Sequence, residues 1–247
     1  MLNAAIGDGE RGIFDMTRRV QPLKLSSPTL PAFLAHCPLF HAVGQDQLAA
    51  LLRSASIQRV RKGNILFRQG ERPTRVYLLL DGAGTLVRTA PKGHRVVLAF
   101  LRPGDVFGLI DLYGRGDQTY TAQMAQDSQV LSWSRESMQR IVDQHPVVVA
   151  NALRWMARRV QSYWMRVEDL ATEPVEQRVA RTLLRLTRGT SRPLLLLHRD
   201  LAEFVGTTPP TLSRVLRGWR RQGIVSASRA SVQLRAPDKV RAIADDP

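Results

Sequence analysis

The side chains best suited to chemistry in this chain are hydroxyls and guanidinium groups set at helical intervals near its C-terminal end. Between His198 and Gln222, Leu212, Val215, Leu216 and Trp219 recur at the steps of a buried helical stripe, while Ser213, Arg214, Arg217, Arg220 and Arg221 face away. The chemistry open to such a face is recognition. A helix of this kind fits the major groove of DNA, with its N-terminal side chains at base edges and its flanking amides and arginines on phosphates.

That helix needs a frame, and the flanking residues supply one. Leu201, Phe204 and Val205 give a preceding helix its apolar face, Gly206 ends it in the left-handed conformation, and Thr208 caps a second helix opened by Pro209-Pro210. Gly223-Ile224-Val225 and Ser231-Val232-Gln233-Leu234 then read as a two-stranded wing around the tip Ser228-Arg229-Ala230. From Ala171 onward the basic residues outnumber the acidic ones by about seven, the charge expected of a module that meets polyanions.

Upstream, Pro146 to Leu170 carries Val149, Leu153, Met156, Val160, Tyr163, Val167 and Leu170 in alternating steps of four and three. This heptad seam predicts a helix that pairs with a second copy of itself, the alternative being a helix packed on its own domain's core, with Arg154, Arg158, Arg159 and Arg166 on wet flanks. It should stop near Ala171, because Glu173 precedes Pro174, which makes 171–174 a hinge. Another amphipathic helix follows on Val175, Val179, Leu183 and Leu186 and ends at Gly189.

Before the seam the texture is strand and glycine. Ile57–Val60, Ile65–Phe67, Val76–Leu80, Thr85–Thr89, Val96–Leu101, Tyr120–Gln123 and Gln129–Trp133 read as short strands, with turns such as Asp81-Gly82, Lys92-Gly93 and Pro103-Gly104-Asp105 between them. That is the pattern of a compact antiparallel roll. Short helices are expected at Pro31–His36, Gln45–Ala55 and Arg135–Gln144, and residues 1–30 read as a loose arm.

Bulk properties narrow the partners. A formal net charge of +15 over 247 residues and 44% hydrophobic content describe a folded protein with a polyanionic partner. No apolar run reaches the roughly 18 residues of a membrane span, and the start has no secretory signal, so a cytoplasmic protein is expected. Reaction chemistry lacks a foothold: there is no Gly-rich phosphate loop, nucleophile elbow or metal-ligand cluster, so an enzyme is not expected. The single cysteine, Cys37, reads as a small buried residue. His36, His41, His94, His145 and His198 share no ligand spacing; His94, in its turn, comes nearest.

Several motifs, taken jointly, resemble the bacterial cyclic-AMP receptor/fumarate-nitrate-reduction (CRP/FNR) regulators. They are Lys62-Gly63 with Phe67-Arg68-Gln69-Gly70-Glu71, Val76-Tyr77-Leu78-Leu79-Leu80, Pro103-Gly104-Asp105-Val106-Phe107-Gly108, Met156-Ala157-Arg158-Arg159, Val205-Gly206-Thr207-Thr208 and Thr211-Leu212-Ser213-Arg214-Val215-Leu216. The resemblance runs from Leu34 to about Pro237. It implies an α+β fold: an arm (1–30), a cyclic-nucleotide-binding-like β-roll sensor (31–145), a dimerisation helix (146–171) and a winged helix-turn-helix (172–247). It implies a homodimer that binds a palindromic operator in double-stranded DNA and recruits RNA polymerase. Arg214 would then read a base edge, most naturally guanine O6 and N7; Ser213 would contact a base or phosphate beside it; Thr208, Thr211, Arg217 and Arg199 would hold phosphates.

Two departures qualify this. Where the family commonly has a glutamate that accepts from cytosine, this chain has Pro210, with Pro209 before it. In cyclic-AMP binders the Phe-Gly of the roll is followed by a glutamate for the ribose, and the next strand brings an Arg-Ser pair to the phosphate; here stand Leu109 after Gly108, then Tyr120-Thr121. On the dimer helix, small hydroxyls are replaced by Tyr163 and Trp164. A cyclic phosphate without its arginine forfeits a charge-assisted pair of about 1.5–3 kcal/mol. The expectation is therefore a signal other than cyclic AMP. Leu109, Tyr120, Tyr163 and Trp164 would suit an apolar or planar effector, haem included, or would be core. The competing reading is a cyclic-nucleotide-responsive module that acts through protein contacts.

Overall fold

The computed structural model describes residues 29–114, 116–188, 193–228 and 230–246. Residues 1–28 of the expected arm lie outside the described residues, as do Gly189, the expected helix end, and Arg229 at the wing tip.

The first helix, α1 (Thr29–Ala35), starts two residues earlier than Pro31. Pro31 falls in its first turn, where a missing N–H costs nothing, so a residue that reads as a breaker is a starter. Leu30 is thereby fully buried rather than part of an arm. A 3₁₀ turn at Pro38–Phe40 leads to α2 (Gln45–Arg53), where Leu48, Leu51 and Leu52 face inward. Cys37 is buried among these residues, and burial pushes its thiol up to about 12, so it stays protonated.

The roll follows as β1 (Ser56–Val60), β2 (Ile65–Phe67), β3 (Arg75–Asp81), β4 (Gly84–Thr89), β5 (Arg95–Leu101), β6 (Val106–Phe107), α3 (Leu109–Tyr113), β7 (Thr121–Met124) and β8 (Ser128–Ser134). The strands form two antiparallel four-stranded sheets, in the orders β1-β8-β3-β6 and β2-β7-β4-β5. Gly82, at φ +93°, turns β3 toward β4, and a Cβ there would lie 2.7 Å from the Ser128 backbone, so no other residue fits. β6 and α3 were not expected, since two- and five-residue elements carry no periodicity of their own. β6 exists because it pairs with β3 at Tyr77↔Phe107 and Leu78↔Val106.

Two cores result in this half. One lies between the sheets around Phe67, Tyr77, Leu86, Phe107, Tyr120 and Met124. The other lies under the helices, where the Trp133 indole donates to the Leu51 carbonyl at 2.9 Å and packs 5.3 Å from the Phe40 ring. The chain then runs through α4 (Arg135–Gln144), capped by Ser134, into α5 (Pro146–Thr172), a 27-residue helix of about 40 Å. Asn151 ties α5 to the roll by donating to the carbonyls of Leu39 and His41.

The C-terminal half is α6 (Val175–Thr187), β9 (Leu194–Leu195), α7 (His198–Val205), α8 (Pro209–Arg221), β10 (Val225–Ser228), β11 (Ser231–Leu234) and α9 (Pro237–Ala244). A core of Val179, Leu183, Leu201, Leu212, Leu216, Trp219 and Val232 holds it together. The wing is three-stranded, in the order β10-β11-β9, and Arg188 takes the left-handed position after α6. Residues 171–174 are spanned by ion pairs and are no loose hinge. Arg181 reaches Asp169 at 3.0 Å and Glu173 at 2.9 Å, and Arg185 pairs with the same Asp169.

Candidate nucleic-acid interface

The outward side of α8 follows from how its inner side is held. Leu212, Leu216 and Trp219 are at most 2% exposed, and the Trp219 indole donates to Glu176 on α6, which fixes the rotation of α8 about its axis. That rotation leaves Arg214, Arg217, Arg220 and Arg221 exposed and Ser213 half-buried. Among the described residues none of these four arginines has an ion-pair partner, so their charge is available to a polyanion.

The start of α8 is built differently. Thr208 caps it, its oxygen 2.9 Å from the Thr211 hydroxyl and 3.4 Å from the Thr211 N–H. Pro209 and Pro210 occupy the first turn and are exposed, which removes two amides that a helix N-terminus would otherwise offer to a phosphate. The hydroxyls of Thr208 and Thr211 are left as the donors there. Arg199, on α7, has a side chain that is 61% exposed and lies 3.7 Å from Glu203.

The turn between α7 and α8 depends on Gly206, at φ +75°, where a Cβ would sit 2.4 Å from the Leu170 side chain of α5. The Gly206 carbonyl also accepts from Arg178. Gly206→Ala is expected to lower stability by about 1–2 kcal/mol through the left-handed backbone alone, with more if Leu170 cannot give way. Thermal unfolding with an unchanged midpoint would contradict this.

Arg178, Arg181 and Arg185 count toward the basic surplus but do not face outward as free charge. They are engaged with Glu173, Asp169 and the carbonyls of Glu173, Gly206 and Ala244. The surplus open to DNA is correspondingly concentrated on α8.

In the roll, Gly108 is buried at φ +81°, and its N–H donates to the Tyr120 hydroxyl at 3.0 Å. Tyr120 is 6% exposed and packs 5.6 Å from Phe67, which stacks on Tyr77, which stacks on Phe107. Burial pushes the Tyr120 phenol well up, so it stays neutral. Leu109 faces the other core, beneath α1 and α2, and Thr121 is half-buried with its hydroxyl accepting from Gln69 N–H. Tyr163 is 36% and Trp164 68% exposed on α5. The six residues suggested as an effector pocket therefore do not form one cluster: Gly108 and Tyr120 meet, whereas Trp164 is on the open side of the long helix.

Of the seam residues, Leu153 (62%), Val167 (63%), Val160 (43%), Leu170 (42%), Met156 (39%), Val149 (38%) and Tyr163 (36%) are all exposed, and Trp164 extends the same stripe. One flank of α5 packs inward, at Asn151, Trp155, Arg159, Arg166 and Asp169. There Arg159 lies 5.1 Å over Trp155, and Arg166 donates to the carbonyls of Val97 and Leu98 while lying 4.2 Å over Phe204. These two arginines are half-buried and not on wet flanks.

A half-buried cluster between the two halves escaped the sequence reading. Arg95 on β5 pairs with Asp200 at 2.7 Å and with Glu203, both on α7. Phe100 on β5 meets Phe204 on α7 at 5.1 Å, and Arg102 donates to the Leu186 carbonyl at 3.1 Å. Partners about a hundred residues apart leave no local signal.

An exposed basic recognition helix on a three-stranded wing, joined by a long helix to an eight-stranded roll, defines a DNA-binding regulator with a sensor-type domain. Residues 57–145 match the cyclic nucleotide-binding domain family, and 177–243 match the Crp-like helix-turn-helix domain family. The cyclic AMP receptor protein of Thermus thermophilus is 31% identical over 199 residues, covering 80% of this chain and 92% of that one. The global nitrogen regulator of Synechococcus elongatus is 29% identical, covering 81% and 92%. The solved structure of FixK2 from Bradyrhizobium japonicum matches with a TM-score of 0.70 at 25% identity, covering 78% and 98%. The chain belongs to the CRP/FNR family of transcription regulators. No helix among the described residues is long and apolar enough to cross a membrane.

Proposed function

We propose that the protein acts as a homodimer that reads a palindromic operator through the outward face of α8 and answers to a signal other than cyclic AMP. The observation that carries the reading is the exposed arginine face Arg214–Arg217–Arg220–Arg221 on a helix whose rotation is fixed by Trp219. Arg214 and Ser213, near the start of that face, are assigned to base edges. Arg217, Arg199, Thr208 and Thr211 are assigned to phosphates. A bound dimer would act at promoters by recruiting RNA polymerase.

Dimerisation is supported by the open seam of α5. Leu153, Val160 and Val167 stand seven residues apart along an exposed stripe, while Asn151, Trp155 and Arg166, on another side of the helix, pack against the rest of the chain. Parallel pairing would place two copies of α8 in two-fold symmetry, and a symmetric reader takes a symmetric site.

The absence of a cyclic-nucleotide signal is supported by the roll interior. Tyr120 fills the space beside Gly108 with its ring and takes the Gly108 N–H with its oxygen, so this amide is already satisfied. A cyclic phosphate would have to displace that ring without an arginine on β7 to receive it.

The test is operator selection from random duplex DNA at physiological salt, with and without cyclic AMP. The expected result is a two-fold symmetric site enriched equally in both, with operator affinity changed less than about twofold by the nucleotide. Enrichment that appears only with cyclic AMP would favour a cyclic-nucleotide-controlled reader. No enrichment, with tight cyclic-AMP binding, would favour the module that acts through protein contacts.

A further inference from the structure

The winged helix-turn-helix is docked on the roll, and the contacts lie on one side of α7. Arg95 places a single nitrogen, Nη1, against both Asp200 and Glu203. Phe204 is held between the Phe100 ring and the Arg166 guanidinium, and Arg166 is itself anchored to the carbonyls of β5. Arg102 adds a bond to the end of α6. Asp200 is 5% exposed, so its carboxylate is costly to bury without this partner.

The side of α7 used here is the back of the reading head. Leu201, Ala202 and Val205 point into the winged-helix core, whereas Asp200, Glu203 and Phe204 point at β5. The exposed arginines of α8 are untouched by the contact. Docking therefore constrains where α8 sits relative to the roll without covering what it reads. In the roll the strand involved, β5, is an edge of its sheet, and it needs no ligand to present Arg95.

We propose that Arg95, seconded by Arg166, is a positioning residue for DNA recognition: it locks the reading head to the roll and so sets the distance between the two half-sites that the dimer accepts. The inference rests on the dimeric-reader reading above. Without the β5 contact the head would be held to α5 by the pairs of Arg181 and Arg185 with Asp169 and Glu173 alone, and could tilt enough to tolerate more than one spacing. A docked head cannot follow a half-site that moves by one base pair, about 3.4 Å along the axis and about a tenth of a turn around it. Loss of Arg95 also leaves Asp200 buried and unpaired and frees Glu203 to pair only with Arg199, a residue assigned to phosphate.

The experiment measures affinity of the full-length protein for the selected operator and for versions with the half-sites one base pair closer and one farther. Wild type is expected to lose about tenfold or more at either wrong spacing. Arg95→Ala is expected to lose less than about threefold, and Arg95→Lys to behave as wild type, because one ammonium can serve both carboxylates that Nη1 serves. Ratios between operators cancel any inactive fraction, so a merely destabilised variant would keep the wild-type ratio. If Arg95→Ala discriminates the spacings as wild type does, the positioning role is wrong and the reader stands. If wild type enriches no symmetric operator, the reading beneath it fails and the inference falls with it.

Discussion

Val160→Glu is expected to convert the protein to a monomer and to remove operator binding at concentrations where wild type saturates its site. Val160 sits mid-way along α5, with Leu153 and Val167 seven residues to either side, and all three are exposed in a single chain. In a parallel pair each Val160 would meet its own copy, so the variant sets two carboxylates opposite one another in an apolar seam. Burying unpaired charge there costs several kcal/mol, beyond the loss of about 1–1.5 kcal/mol for the valine itself. Once the heads are separate, the second half-site no longer binds at high effective concentration, and avidity of about 10²- to 10⁴-fold is lost. The fold of each chain should survive, since Val160 does not enter its core. Sedimentation and fluorescence anisotropy on the same sample read both effects. A variant that stays dimeric with full operator affinity would place the self-contact somewhere other than this seam.

The sequence made the recognition helix and the long helix legible because each carries a long period. Leu212, Leu216 and Trp219 declare one face, and Leu153, Val160 and Val167 another; both lie where the spacing puts them. Strand texture likewise led to the roll, because glycine turns and β-branched runs alternate locally. What was illegible is non-local or too short. The pairing of β6 with β3 is two residues long, the third wing strand is Leu194–Leu195, and α9 begins at a proline after a stretch with no clear stripe. Leu30 was hidden because Thr29 and Pro31 read as a break, although the same residues open α1.

The candidate sites divide in the same way. The arginine face of α8 needs only helical period to be found. The effector pocket needed side chains from β6, β7 and α5 to converge, and residue types alone did not say that Tyr120 turns inward to Gly108 while Trp164 turns out. Charge counting was also incomplete. Arg178, Arg181 and Arg185 look like DNA contacts by composition, yet they join α5 to α6 and brace the Gly206 turn. A basic surplus tells that a polyanion is near, and only the ion pairs tell which arginines are left for it.

Arg214→Ala separates those roles most sharply. Arg214 is exposed on the second turn of α8 and has no carboxylate partner among the described residues, so stability should be unchanged. A guanidinium that spans guanine O6 and N7 contributes about 1–3 kcal/mol of discrimination, and each half-site should lose about that much. Two half-sites in one dimer then give a loss of about 30-fold or more in operator affinity. Because Pro209 and Pro210 offer neither a carboxylate nor an arginine to the bases, few other direct readers remain at the helix start, which makes the dependence on Arg214 steeper. The signature is in sequence as well as strength: selection with the variant should lose preference at one symmetric pair of positions and keep the rest. Arg217→Ala, by contrast, should weaken all duplexes alike and lower the salt slope by about one per head, as a phosphate contact does. A variant Arg214→Ala that enriches the wild-type operator unchanged would move base reading away from this residue, leaving Ser213 and the wing as its bearers.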